Sequence, residues 1–214
     1  GKYVKTLKNK KNFFTLEDPQ DEIAINDLLF ITDKEKSLCR VFNIEKDIPV
    51  AVFGFKNLSD PSCINGYYDN NNKSYNIYIL DKDTNNIIKF ELKISDGKIL
   101  NLNSELFVKL MYTNIKKIKI DFDLKQILGC CKKTNKLIIF DFNGFKINEI
   151  VGEVENMTIL NNYYIFTDKS HDSNMLHLYN RKSLKYLKSY YSYNTRFIND
   201  ISSYKNELYI IDNK

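Results

Sequence analysis

Four aspartates, Asp33, Asp81, Asp168 and Asp212, recur at the ends of apolar runs. Carboxylates at such regular spacing could form a ring of acids or metal ligands. The same position, at the start of a hairpin, also suits a structural role in which each carboxylate accepts backbone N–H groups of its own turn. The structural reading is the expected one. Asp81, Asp83 and Asn85 occupy the first, third and fifth places of a calcium-loop pattern. Asn86 replaces the required glycine, Leu92 replaces the closing glutamate, and the flanks read as strands, so no metal is expected. His171 and His177 are the only histidines, with no Cys, Asp or Glu at zinc-ligand spacing. Asp168 and His171 together read as a turn interaction, and His177 falls on a strand. No G-x-S-x-G elbow, phosphate loop or paired-carboxylate motif is present. No cofactor is implied.

The stretch best suited to binding is Ser189–Phe197, SYYSYNTRF, where clustered tyrosines and an arginine offer flat apolar surface with hydrogen-bonding handles. Tyr190, Tyr191, Tyr193 and Arg196 are its candidate contact residues, with Asp18, Asp60 and His171 expected on the same face. Packing of alternate tyrosines within the fold is the competing reading. Cys39, Cys63, Cys130 and Cys131 show no C-x-x-C spacing and are expected as free buried thiols, a Cys39–Cys63 bridge being the alternative.

The elements that position these residues follow from a repeat. Ile77–Glu91 is an apolar run ending in Asp81, a polar turn, then strict alternation, which is a β-hairpin pattern. Leu29–Asn43 and Ile127–Asp141 align with it without a gap, Cys131 replacing the aspartate in the latter. Tyr164–Tyr179 aligns with one residue inserted in the turn, and Leu208–Lys214 begins a fifth copy. Phe42, Phe90, Phe140 and Leu178 share one column and are expected at equivalent buried sites between repeats. A strand is expected on each side of every hairpin, with Asp96-Gly97 and Asn143-Gly144 as turns before the fourth strand. Two links between repeats share the pattern LxDP, at Leu16–Pro19 and Leu58–Pro61.

Four-stranded units recurring at roughly 40–50 residues predict an all-β chain, a β-propeller with five recognisable repeats. The approximate units are 17–57, 58–102, 115–152, 153–194, and 195–214 completed by 1–16. Gly1–Leu7 has the look of a fourth strand, so the ring is expected to close through a blade shared by the two termini. A truncated six-bladed ring and a β-sandwich are the alternatives. Ser104–Tyr112 departs from the pattern: Ser104 is a cap, and Leu106/Leu110 and Phe107/Met111 lie four apart, which predicts a short inserted helix.

A hydrophobic content of 43% with 14% aromatics supports a folded core, and 214 residues suit a single domain. The net charge of +5 is spread over the chain without a dense basic block or a recognition motif, so no nucleic acid is expected as partner. No apolar run approaches the roughly 20 residues that span a bilayer, and no secretory signal opens the chain. Gly1 reads as a tag scar, which leaves room for an export signal or lipid anchor upstream. A monomer is expected.

The segments LLFITDKEKSLCRVFNIEKDIPVAVFG, LSDP and IYILDKDTNNIIKFEL resemble the TolB-like six-bladed propeller proteins of Bacteroidetes and, more loosely, NHL-type blades. The family's glycine-rich link after the first blade is reduced here to Gly54. The resemblance implies an exported protein of the periplasm or cell surface, often lipid-anchored, with a cytoplasmic location as the alternative. It implies a non-enzymatic binding or scaffold role toward a protein, peptide or glycan, and carries over no catalytic or ligand residues. The alternative is a propeller hydrolase or lyase acting on a sugar or lactone.

Overall fold

The computed structural model describes residues 15–95, 97–131, 133–134, 136–152, 154–168, 175–191 and 198–212. The chain is all-β, and the described residues contain no helix. It divides into two compact units, Gly1–Leu110 and Met111–Lys214. The first unit holds two four-stranded antiparallel blades in sequential order. They are β1 Pro19–Ile25, β2 Leu28–Asp33, β3 Leu38–Asn43 and β4 Ile48–Phe53, then β5 Pro61–Asp69, β6 Ser74–Asp81, β7 Asn86–Ser95 and β8 Lys98–Lys109. The second unit holds two more. These are β9 Ile115–Asp121, β10 Gln126–Cys131, β11 Lys136–Asp141 and β12 Lys146–Val151, then β13 Val154–Leu160, β14 Tyr163–Asp168, β15 Met175–Asn180 and β16 Tyr186–Tyr191. A fifth repeat follows as the pair β17 Ile198–Tyr204 and β18 Glu207–Asp212. This is the β-propeller architecture that the repeat predicts. The expected closing strand at Gly1–Leu7 lies outside the described residues.

The repeat is anchored identically five times. Asp33, Asp81, Cys131, Asp168 and Asp212 pair with Pro19, Pro61, Ile115, Val154 and Ile198, the heads of the first strands, and a bulge follows each pairing. A bulge adds a residue on one strand and sharpens the local twist. Asn26 and Asn161 take the left-handed backbone at the turns between first and second strands, with φ of 56° and 53°. Asparagine adopts that region at little cost. Gly97 and Gly144 do the same before the fourth strands, at 70° and 83°.

Blades pack face to face through the alternate side chains of their strands. Between the first two blades, Phe30, Val41 and Phe53 meet Ile77, Ile79, Ile88, Phe90 and Leu92 in one buried cluster. Phe53 and Phe90 tilt against each other at 4.9 Å. Gly66 is required where β5 runs tight against β6 of its own blade and Ile25 of the first. A Cβ there would lie 2.7 Å from the Asn76 carbonyl oxygen, 2.9 Å from Ile77 Cδ1 and 3.2 Å from Ile25 Cδ1.

The structure corrects two expectations. Residues 104–109 are not helical but continue β8, whose pairing with β7 runs from Ser95↔Lys98 to Asn86↔Lys109. Leu106, Val108 and Leu110 satisfy a period of two as well as a period of four, and the long edge offered by β7 selects the strand. The aligned column is also only partly equivalent. Phe42, Phe90 and Phe140 pair with Leu29, Ile77 and Ile127 and are buried. Leu178 is buried too but pairs with Ile165 and packs with Ile198 and Ile201, toward the following repeat. By register the fourth hairpin carries two more residues than the second, not the one that the alignment inserts, so Leu178 falls one position short of the column and on the other face. Tyr179, paired with Tyr164 and stacked on Phe166 at 5.1 Å, takes the place of Phe90.

Phe90 is fully buried. Phe90→Ala is expected to cost about 3–5 kcal/mol of unfolding free energy, read from the denaturant midpoint. An unchanged midpoint would contradict this packing.

Candidate functional site

Two of the four regular carboxylates, Asp33 and Asp81, are engaged in the framework. Asp33, with no exposed surface, accepts the Glu17 and Asp18 N–H groups at 3.2 Å each and pairs with Arg40 Nε at 2.8 Å. Asp81 accepts the Ser59 N–H at 2.6 Å and the Thr84 N–H at 3.4 Å. Expected to hold their own turns, both carboxylates instead hold the LxDP link that leads into the first strand, Asp81 adding its own turn. The Lys34 and Lys82 N–H groups donate in return to the Asp18 and Asp60 carbonyls, at 2.9 and 3.0 Å. Burial pushes the Asp33 carboxyl up, but Arg40 and the two link N–H groups outweigh it and hold the carboxyl below its usual range.

The second unit carries a buried polar knot between its two blades. Arg181 forks onto Asp121 and reaches Asp123 at 2.8 Å, while Tyr164 Oη donates to Asp121 Oδ2 at 2.8 Å. Burial raises the Asp121 carboxyl, and Arg181, the Leu124 N–H and Tyr164 together bring it below its usual range. Burial and the adjacent Asp121 carboxylate push the Tyr164 hydroxyl upward.

Asp60 lies in the first unit, its carboxylate 3.3 Å from Lys34 Nζ. Tyr190 and Tyr191 lie in the second unit on β16, opposite Leu176 and Met175 at the Asp168 end of the blade, and both are about half exposed. Lys188 Nζ sits 4.6 Å from the Tyr190 ring centroid, within cation–π reach. His171, Tyr193 and Arg196 lie outside the described residues. The four cysteines are free and buried, without a Cys39–Cys63 bridge.

One constellation escaped sequence reasoning. Asp168, His177 and Ser189 stand on three neighbouring strands of the fourth blade. Ser189 Oγ lies 2.8 Å from His177 Nδ1, and His177 Nε2 lies 3.6 Å from Asp168 Oδ2. Nε2 is buried without a hydrogen-bond partner among the described residues. Tyr186 Oη joins the row at 2.9 Å from Ser189 Oγ. Phe166 holds the imidazole from one side, stacked at 5.5 Å. The signal was present only as His177 and Ser189 on adjacent strands, and their pairing depends on the register of β15 on β16.

A second feature is a cavity of about 280 Å³ in the first unit, whose walls include Asp27, Asn43, Lys46, Tyr75 and Ile94. Asn43 Nδ2 donates to Asp27 there. Among the described residues, no group of three His, Cys, Asp or Glu side chains could hold a metal ion. Among the described residues, no helix is long and apolar enough to cross a membrane.

No protein-family model matches the sequence, and no curated protein matches it. Solved structures do. A protein of unknown function from Bacteroides caccae superposes with a TM-score of 0.60 at 10% identity, covering 91% of this chain and 70% of its own. A chain of a nidogen/laminin complex gives 0.61 at 16% identity, covering 88% of this chain and 69% of its own. Hydrazine synthase of Kuenenia stuttgartiensis gives 0.56 at 11% identity, covering 94% of this chain and 55% of its own. At these identities the likeness is one of fold, and the fold is that of a β-propeller protein.

Two predictions follow from these geometries. Asp33 and Asp121 titrate in the folded chain below the unfolded carboxylate value of about 3.9. The stability they contribute is complete above that value and is lost as the pH falls through the folded ones. The thermal midpoint is therefore expected to drop as the pH falls below about 4, with a shallower drop in Asp121→Asn, measured by circular dichroism. The Asp81 carboxylate is occupied by backbone donors and Asp83 Oδ2 by the Ser59 hydroxyl. The melting temperature is thus expected to be insensitive to chelator and to millimolar calcium, whereas binding would raise it.

Proposed function

We propose that the chain is a binding propeller of the cell envelope, TolB-like in kind, that presents a tyrosine-rich strand to a protein or peptide partner. The observation that carries this reading is β16, where Tyr186, Leu187, Tyr190 and Tyr191 are 46–53% exposed on one outer strand. Tyrosines of this kind bury much area at low entropic cost when a partner covers them. Two of the carboxylates regular enough to suggest an active centre, Asp33 and Asp81, are instead spent on backbone donors and, for Asp33, the Arg40 guanidinium. The nidogen/laminin structure, a complex of two proteins, supports a protein partner by analogy. Hydrazine synthase, with a similar fold, is an enzyme by name, so the fold does not decide between classes. The envelope location rests on the TolB-like resemblance, and fractionation of the source cells tests it.

A second reading, a hydrolase, is favoured by one observation, the Asp168–His177–Ser189 row.

The binding reading is tested with the double substitution Tyr190→Ala/Tyr191→Ala. Partners are identified by cross-linking to the intact chain in the source cells, then titrated as purified proteins. Affinity is expected to fall at least about tenfold, the loss of one or two anchor residues, with an unchanged melting curve. Unaltered affinity of a well-folded variant would exclude this strand as the contact.

A further inference from the structure

We propose that the row on the fourth blade is an acyl-transfer site, with Ser189 as nucleophile, His177 as its base, Asp168 positioning the imidazole and Tyr186 as oxyanion donor. Its substrates are small neutral esters with an apolar or aryl group. The proposal rests on the hydrolase reading and goes beyond the binding one.

The connectivity supplies the parts that such chemistry needs. A neutral imidazole carries one donor and one acceptor nitrogen. Nδ1 is within hydrogen-bond reach of Ser189 Oγ at 2.8 Å, whereas Nε2 faces the Asp168 carboxylate at 3.6 Å. A carboxylate on that side favours the tautomer with its proton on Nε2, leaving the Nδ1 lone pair aimed at the serine. It also stabilises the imidazolium that forms when the serine proton is taken. Nε2 is buried and has no hydrogen-bond partner among the described residues, so a shift of a few tenths of an ångström toward Asp168 completes the relay. Catalytic hydrogen bonds are often long before substrate binds.

The scaffold is rigid where it must be. His177 is paired in register with Phe166 on one side and Ser189 on the other. Phe166 stacks on the imidazole and also on Tyr179, which fixes the ring plane. Tyr186 Oη, 2.9 Å from Ser189 Oγ, is placed to donate to an oxygen forming beside that atom. Tyr186 and Tyr191, exposed on the same strand and on the same face as Ser189 by the register of β15 on β16, flank it with flat apolar surface. The Asp168 carboxylate in the row repels an acidic substrate and the tyrosine surface suits an apolar group, which points to neutral esters.

In the reaction, Ser189 Oγ bonds to the ester carbonyl carbon as its proton passes to Nδ1. The bond to the alcohol oxygen then breaks, and that oxygen takes the proton, leaving an acyl-serine. Water gives a proton to Nδ1 as it adds to the acyl carbon. The serine oxygen leaves with that proton, which releases the acid and restores the site.

The test uses the full chain with p-nitrophenyl acetate and, separately, a fluorophosphonate probe mapped by peptide mass spectrometry. Hydrolysis is expected to fall about a hundredfold in both Ser189→Ala and His177→Gln, the size of a general-base contribution. Asp168→Asn is expected to lower kcat with KM unchanged, which a merely structural role would not do. The probe is expected to label Ser189 in the unaltered protein, so the result does not depend on any variant folding. Absence of an adduct at Ser189, or hydrolysis by a folded Ser189→Ala protein at the original rate, would overturn the proposal. Partner affinity through Tyr190 and Tyr191 is expected to be unchanged in Ser189→Ala, so the binding and hydrolase readings fail separately.

Discussion

The architecture depends on the contact between the end of each second strand and the head of the first. The anchor residue closes that pairing just before a bulge, five times over. Where the anchor is Asp33 or Asp81, its carboxylate also takes link N–H groups. Those donors precede a proline-headed strand and have no ladder partner, and leaving them unmet would cost about 1–3 kcal/mol each when buried. A carboxylate suits the task because it only accepts and offers several lone pairs. Where Cys131 replaces it, the backbone pairing survives without the carboxylate, and the thiol lies 3.7 Å from the Thr113 carbonyl oxygen. The backbone register, more than the aspartate, is what the repeat preserves.

The two units solve the same packing problem with opposite chemistry. By strand register, Asp121, Tyr164 and Arg181 in the second unit hold the positions of Ile25, Ile77 and Leu92 in the first. The first set is an ion pair capped by a phenol, and the second belongs to a single apolar cluster. Apolar packing gains from burial directly. The ion pair must recover the cost of desolvating two charges, and does so by filling nearly every hydrogen-bonding site of Asp121. The polar version adds direction, because a forked guanidinium and a carboxylate meet well in few orientations. The exchange also shows that a buried acid and a partly buried arginine can be framework residues despite their functional look.

Much of this was legible in the one-dimensional pattern. Hairpin period, anchor ladder, asparagine and glycine turns and buried cysteines all follow from local preferences that act within a few residues. The segment 104–112 was not, since Leu106, Val108 and Leu110 satisfy both periodicities and only the neighbouring strand decides between them. Leu178 failed for a related reason. Alignment by residue type inserts one residue where the paired strands hold two, and a miscount of one moves the column to the other face.

What the sequence by itself determined is therefore the repeat, its strand order and the residues able to anchor it. These depend on alternation, turn stereochemistry and spacing, all properties of a chain segment. Only the tertiary structure decided which side chains meet across strands. His177 and Ser189 belong to strands whose relative register includes a bulge between Leu178 and Tyr179. Asp121 and Arg181 lie 60 residues apart, on different blades. Such encounters are set by register, bulges and blade packing together. A single-residue slip in any one of them would turn the same side chains to opposite faces.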